Sequence, residues 1–211
     1  MSRSWYSRKI FPRLLAWSMG QAAFGPLRES LLARASGAVL EVGFGTGANV
    51  PYYPPDIEFL ISLDPNPGMV PFARSHIADP IARNLPVRWV IASGESLPFH
   101  SHSFDTVVST LTLCSIPKVS VSLQELYRVL KPGGRFLFLE HGRSPDHSVR
   151  WWQDWLTPYW RKVGDGCHLN RPMKELIEDQ PWSLPSLNTF YLPRVPKPFA
   201  YFYEGCAIKK G

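Results

Sequence analysis

The residues best placed to do chemistry begin between Glu41 and Ala48, where the chain reads Glu-Val-Gly-Phe-Gly-Thr-Gly-Ala. Gly43, Gly45 and Gly47 follow a short apolar run, a setting in which missing side chains let backbone amides approach a ligand in a tight turn. With Ala48 the turn also satisfies G-x-G-x-x-A, so a nicotinamide or flavin dinucleotide competes with other nucleoside cofactors and with a turn that binds nothing. Glu41 weighs against the dinucleotide, because a carboxylate is repelled by a diphosphate and attracted by an ammonium group. Asp64 ends a second apolar run about 20 residues on, the place from which an acidic side chain accepts hydrogen bonds from ribose hydroxyls. The pair favours a cationic ligand carrying a ribose.

A second set of candidates lies downstream. Glu140 and His141 close the apolar run that starts at Arg135, and His141 is the better candidate for a general base; the alternative is that both only fix local loops. The stretch Asp165-Gly-Cys167-His168-Leu-Asn170-Arg171 sets a cysteine beside a histidine. Two such residues make no metal site without further ligands, so no metal is expected. The stretch reads instead as a loop folded over an acceptor pocket, with His168 lining it and Asn170 or Arg171 holding it. Cys114 reads as pocket wall or core. Cys114, Cys167 and Cys206 are odd in number, far apart and without CxxC spacing, which points away from a disulfide framework or zinc knuckle and toward a reducing, cytoplasmic setting.

These residues need a scaffold, and the hydrophobic pattern supplies one. Residues 38–42, 58–64, 87–93, 104–114 and 135–141 read as strands; helical spacing occupies 69–77 and 119–130, and a helix is expected after the glycine turn. This alternation predicts an α/β fold, a Rossmann-like, seven-stranded, mostly parallel sheet with helices on both faces and an antiparallel C-terminal hairpin over 187–208. The loops after Val42, Leu63, Ile91, Ser109 and Leu139 then share one functional edge. Residues 1–35 read as two amphipathic pieces parted at Gly25-Pro26, and serve as a lid over the cofactor, a membrane-surface contact or a packing helix. Residues 146–180 read as an aromatic cover for the acceptor site. Trp151, Trp152, Trp155, Tyr159 and Trp160 do not share one helical face, so part of that helix covers the pocket and part packs on the core.

The chain as a whole bounds these readings. Its 211 residues fit a single α/β domain, 1–211, with 38–141 as the cofactor-binding core. The net charge of +6 is not one patch: Arg3, Arg8, Lys9 and Arg13 open the chain without an acid and the other cations are scattered. No nucleic-acid partner is expected; a peripheral membrane contact through the N-terminal segment stays open. Pro12 and Arg13 interrupt the early apolar stretch, and no run approaches a membrane span.

The ordered set EVGFGTG, SLDP, ASGESLPF, SFDTVVST and RVLKPGGRFLFLE resembles the class I S-adenosylmethionine-dependent methyltransferases, in the subgroup of the ubiquinone/menaquinone methyltransferases. EHGRSP with the later DGCHLNRP resembles a group of small bacterial methyltransferases and, more distantly, the animal methyltransferase-like seven group, whose members methylate thiols. The resemblance implies S-adenosyl-L-methionine as cofactor. It implies that Glu41, Gly43, Gly45 and Gly47 hold the methionine part, that Asn49 is a further cofactor-binding residue, and that Asp64 holds the ribose, with Pro65 and Met69 lining the adenosine pocket. Ser93, Gly94 and Glu95 would surround the adenine, although family members often carry Asp where Ser93 stands, and Thr110 and Leu111 would approach the methionine end. His141 and His168 are the catalytic candidates. The expected acceptor is a small, largely apolar molecule, a thiol or hydrogen sulfide, with a quinone-like or phospholipid acceptor as the alternative and a non-catalytic cofactor-binding protein as the rival class.

Overall fold

Seven strands build one sheet: β1 (Ala38–Val42), β2 (Phe59–Leu63), β3 (Val87–Val90), β4 (Phe104–Thr110), β5 (Leu130–His141), β6 (Ser183–Tyr191) and β7 (Tyr201–Ile208). The computed structural model describes residues 4–78 and 85–211; Arg3, from the basic opening, lies outside the described residues. The strands lie in the order β3-β2-β1-β4-β5-β7-β6. β1 to β5 are parallel, β7 is antiparallel to β5, and β6 is antiparallel to β7. β7 is therefore the one strand that runs against the rest. The order turns back at β1, with β2 on one side and β4 on the other, which leaves a crevice beyond the carboxyl ends of β1 and β4.

Alternation along the strands supplies a core on each face. Leu40, Val42, Val107, Phe136 and Phe138 join one core, which α5 (Val119–Val129) covers with Leu123 and Leu126 and α7 (Met173–Glu178) with Met173 and Ile177. Val39, Val108, Leu137 and Leu139 join the other, against Leu31 and Leu32 of α3 (Gly25–Leu32) and Ala73 of α4 (Val70–Ile77). Each such Val, Leu, Ile, Phe or Met side chain contributes about 1.5–3 kcal/mol when fully buried.

Four expectations change. The helix expected after the glycine turn is a single 3₁₀ turn, Val50–Tyr52, because Pro51, Pro54 and Pro55 remove amide donors there. Among the described residues no α-helix begins directly after the glycine turn, so the usual seat for a diphosphate is missing there. The N-terminal region holds three α-helices, α1 (Trp5–Lys9), α2 (Phe11–Met19) and α3, and Gly25-Pro26 opens the third instead of merely breaking the second, since Pro is tolerated in a first helical turn. The strand expected over 87–93 ends at Val90 and the one over 104–114 ends at Thr110, after which Leu111 takes a left-handed conformation (φ 53°). Finally, α6 (His147–Val163) buries Val149, Gln153 and Thr157 and exposes Trp151, Trp152, Trp155 and Tyr159, so those four aromatics are not core. The polar stripe is accommodated because Gln153 is satisfied: its Nε2 donates to the carbonyls of Gly142 (2.9 Å) and Pro198 (3.2 Å), and its Oε1 accepts from Ser144 N (2.9 Å).

Candidate active site

The crevice at β1 and β4 opens into a cavity of about 260 Å³. Glu41, Gly43, Gly45, Asn49, Asp64, Pro65, Met69, Ser93, Gly94, Glu95, Thr110 and Leu111 all line it, drawn together from the carboxyl ends of four strands. The glycine turn is stitched to β2, since Gly43 N and Phe44 N donate to Leu63 O at 2.8 and 3.1 Å. Asp64 Oδ2 accepts from Gly45 N at 3.0 Å and Oδ1 from Asn66 N at 2.7 Å, so the carboxylate that ends β2 also shapes the turn. Gly43 is required on two counts: its φ is +75°, and a Cβ would fall 2.1 Å from the Thr112 side chain. Gly47 does not line the cavity. Its φ is +82° and a Cβ would press on Ala73 of α4 and on the Phe44 ring, so it serves packing behind the turn.

The floor of this cavity is a buried polar chain. Tyr53 donates its hydroxyl proton to Glu41 Oε2 (2.7 Å), Asn49 Nδ2 donates to Glu41 Oε1 (2.8 Å), and Arg28 Nε donates to Asn49 Oδ1 (3.0 Å). Burial holds the Glu41 carboxyl up at about 7 against the pull of Tyr53, Asn49 and Arg28, and the charge of Asp64 adds to the rise. Burial also lowers the Arg28 guanidinium from its ordinary value. Sequence reasoning missed Arg28. The available signal was its position three and four residues before Leu31 and Leu32, which puts a cation on the buried face of a short helix.

A second cavity, about 560 Å³ and lined chiefly by apolar side chains, lies beside the first. Phe11, Leu15 and Met19 of α2, with Leu111 and Ser115, line both. The helix is fixed in that position through its neighbour: Ser7 Oγ donates to Asp165 Oδ2 (2.8 Å), Asn66 Nδ2 to Ser7 O (2.7 Å), and the Tyr6 hydroxyl to Val163 O (2.7 Å). The far wall carries Trp160 and Phe199, and at one end stand Cys114, His141 and Cys167.

His141 Nε2 lies 3.0 Å from Cys167 Sγ, and Trp160 Nε1 donates to the same sulfur at 3.3 Å. The closeness of the two sulfurs, within 4.8 Å, splits their titration, raising the Cys114 thiol and lowering the Cys167 thiol from the usual cysteine value. Separation in sequence hid this convergence: Cys114 follows β4, His141 ends β5, and Cys167 sits between α6 and α7. Glu140 is a bolt for this end. Fully buried, it accepts from Ser109 Oγ (2.7 Å), Thr112 N (3.0 Å) and Leu113 N (3.1 Å), and burial raises its pKa despite those donors.

His168 lines neither cavity, contrary to expectation. Arg171 Nη2 donates to its Nδ1 at 2.9 Å, and burial and the Arg171 charge lower its pKa. Arg171 also reaches Leu113 O (2.5 Å) and Ile116 O (2.6 Å), while Asn170 Nδ2 donates to Asp154 Oδ1 (2.7 Å), so these two residues do hold the loop.

A family profile described as a methyltransferase domain matches residues 40–138. Human thiol S-methyltransferase TMT1A is 34% identical over 216 residues, a match covering 95% of this chain and 87% of the human one. This chain belongs to the class I S-adenosylmethionine-dependent methyltransferases, in the group of the TMT1 proteins. Rat thiol S-methyltransferase TMT1B is 42% identical over 148 residues, 69% of this chain and 59% of the rat one, so this match spans less than two thirds of that relative. The structure of Burkholderia thailandensis 1,6-didemethyltoxoflavin-N1-methyltransferase, with bound S-adenosylhomocysteine, overlays with a TM-score of 0.63 at 18% identity, covering 93% of this chain and 81% of that one. It shares the fold.

The cofactor of this methyltransferase is S-adenosylmethionine. The first cavity suits it on electrostatic grounds: among the described residues four acids, Glu41, Asp64, Glu95 and Asp165, line it with a single cation, Arg28, which favours a ligand with positive sulfonium and ammonium groups over a diphosphate. Among the described residues, no helix is long and apolar enough to cross a membrane.

Proposed function

We propose that this methyltransferase transfers the cofactor's methyl group to the sulfur of a small, apolar thiol or of hydrogen sulfide. The observation that carries the reading is the shared wall between the two cavities. Leu111 and Ser115 face both, so a donor held on one side and an apolar acceptor held on the other meet at one point. S-Adenosylmethionine supplies an electrophilic methyl on a cationic sulfur; what the protein must add is alignment and exclusion of water.

In this reading Glu41, Gly43, Gly45 and Asn49 hold the methionine end, and Asp64 the ribose. Pro65 and Met69 line the adenosine pocket, Ser93, Gly94 and Glu95 border the adenine, and Thr110 and Leu111 flank the reacting methyl. Helix α2 is the lid: Phe11, Leu15 and Met19 close both cavities and keep water from the transfer. His141 and Cys167 form the polar end of the apolar cavity, against which the acceptor sulfur rests. The thiol class is also supported by the names of the relatives, human TMT1A and rat TMT1B.

The acceptor arrives from a lipid surface. Trp17 (75% exposed), Trp5, Leu14 and Ile10 on the N-terminal helices, and Trp151, Trp152, Trp155 and Tyr159 on α6, leave a large apolar area in solvent, with Arg8, Lys9, Arg13, Arg150, Arg161 and Lys162 on the same helices. Leu14, Trp17 and Val163 belong both to this exposed surface and to the wall of the apolar cavity.

The test is an acceptor screen with the purified chain and S-adenosylmethionine, reading S-adenosylhomocysteine formed with hydrogen sulfide, alkyl and aryl thiols, catechols, quinols and phosphatidylethanolamine. Turnover on thiols is the expected result. Turnover confined to quinols or phospholipid overturns the thiol reading, and cofactor binding without turnover on any acceptor overturns the enzymatic one.

A further inference from the structure

The sulfurs of Cys114 and Cys167 and a ring nitrogen of His141 all lie within 4.8 Å of one another, and the three side chains are buried together at the polar end of the apolar cavity. We propose that these three residues bind a single zinc ion, with its fourth position open to that cavity for the acceptor's sulfur. The proposal rests on the thiol reading above and deepens it.

The donor set decides the class of metal. Two thiolates and an imidazole select zinc over hard cations such as magnesium or calcium, which take oxygen ligands. Three protein ligands with a vacant fourth position are the arrangement of catalytic zinc sites, whereas structural sites are closed by four. Tetrahedral zinc with the usual bond lengths sets its ligand atoms about 3.5–3.8 Å apart. His141 Nε2 and Cys167 Sγ, now 3.0 Å apart, need only separate slightly.

The surroundings are those of a supported site. Trp160 Nε1 donates to Cys167 Sγ (3.3 Å), the kind of outer contact that orients a thiolate ligand. Cys114 is held from both sides, by Glu140 through the amides of Thr112 and Leu113, and by His168 N, which donates to Cys114 O at 2.9 Å. Arg171 ties the loop that carries Cys167 to the carbonyls of Leu113 and Ile116, which binds two of the ligand-bearing segments into one unit. Cys206, the third cysteine, lies apart from this cluster on β7 and serves as a control.

The chemistry balances without a redox partner. A thiol R–SH that takes the open position loses its proton to water and stays bound as the thiolate. Its sulfur forms the new S–CH₃ bond as the sulfonium S–CH₃ bond of the cofactor breaks, which leaves neutral S-adenosylhomocysteine and a neutral thioether. The thioether is the weaker ligand and departs. His141 is then a ligand through Nε2, in place of the proton acceptor that its position at the end of β5 suggested.

The experiment uses the full chain without a histidine tag, purified from zinc-supplemented cells. Its zinc content is measured by mass spectrometry, and the metal-free form is titrated with cobalt(II) under reducing conditions. The expected result is about one zinc per chain and a thiolate-to-cobalt charge-transfer band, both lost in Cys167→Ser and Cys114→Ser and both kept in Cys206→Ser. Circular dichroism and S-adenosylmethionine affinity report whether each variant is folded, and His141→Gln provides a third probe that spares the sulfurs. Adding a small alkyl thiol to the cobalt form should shift its visible bands. Absence of zinc together with absence of a charge-transfer band overturns the site, and thiol turnover by such metal-free protein leaves the methyl-transfer reading standing. A band that survives Cys167→Ser also overturns it. A cobalt spectrum indifferent to the thiol overturns the acceptor-binding role.

Discussion

Asn49 joins Arg28 to Glu41: its Oδ1 accepts from Arg28 Nε at 3.0 Å while its Nδ2 donates to Glu41 Oε1 at 2.8 Å, so a buried cation and a buried carboxyl are linked through one neutral amide. Burial raises the Glu41 pKa from 4.5 to about 7, with Tyr53, Asn49 and Arg28 opposing the rise and Asp64 adding to it. Between those two values the folded chain binds more protons at Glu41 than the unfolded chain does. Stability of the cofactor-free chain therefore falls as pH rises through this window, by about 3 kcal/mol in all. Glu41→Gln should remove this part of the slope, measured as urea unfolding free energy at pH 5 and pH 8. The ionised form is also the one that attracts a cationic ligand, so cofactor affinity should rise several-fold from pH 6 to pH 8 in the native chain and stay flat in the variant.

Asp64 has two duties that separate under substitution. It caps the glycine turn through Gly45 N and Asn66 N, and in the proposed complex it holds the ribose. Asp64→Ala should weaken S-adenosylmethionine binding by roughly 1–3 kcal/mol through lost charge-assisted hydrogen bonds, read by calorimetry. Asp64→Asn, which keeps an acceptor for one amide, should lose less. Unchanged affinity in both would remove Asp64 from the ribose.

Glu140 illustrates a buried acid whose role is architectural. Replacing it by Ala leaves the Ser109 hydroxyl and the Thr112 and Leu113 amides without their acceptor. The expected loss is about 2–5 kcal/mol in chemical denaturation, since each buried polar group left unpaired costs about 1–3 kcal/mol and part is recovered by relaxation. Glu140→Gln should cost about half as much.

The exposed aromatics of α6 give a prediction at the surface. Trp151→Ser with Trp155→Ser should reduce partitioning onto anionic phospholipid vesicles roughly 10- to 100-fold, because two half-exposed indoles no longer enter the interface. Cofactor affinity should be unaffected, as neither residue lines the first cavity. Equal sedimentation of native and variant chains with the vesicles would remove α6 from the contact.

What the sequence by itself determined was most of the lining of the first cavity. Strand periodicity, the glycine turn and an acid at the end of the second strand are local signals, and the chain order of β1 to β5 with parallel pairing brings their carboxyl ends to one edge. Eleven of the thirteen expected cofactor residues could be placed there because each stands within a few residues of a strand end; Asn49 arrived through the 3₁₀ turn, and Gly47 turned away to pack on α4. The second cavity was decided only by tertiary structure. Whether Trp155 is buried depends on which stripe of α6 finds partners, and Gln153 found three while Trp151, Trp152 and Trp155 stayed exposed. Arg28 became part of the first cavity through α3 packing under the glycine turn, and His168 left the second because Arg171 took its ring nitrogen. Cys114, His141 and Cys167 share no local pattern at all. They meet because β4 and β5 are neighbours in the sheet and Arg171 draws the loop after α6 across their ends, a long-range closure that no spacing along the chain encodes.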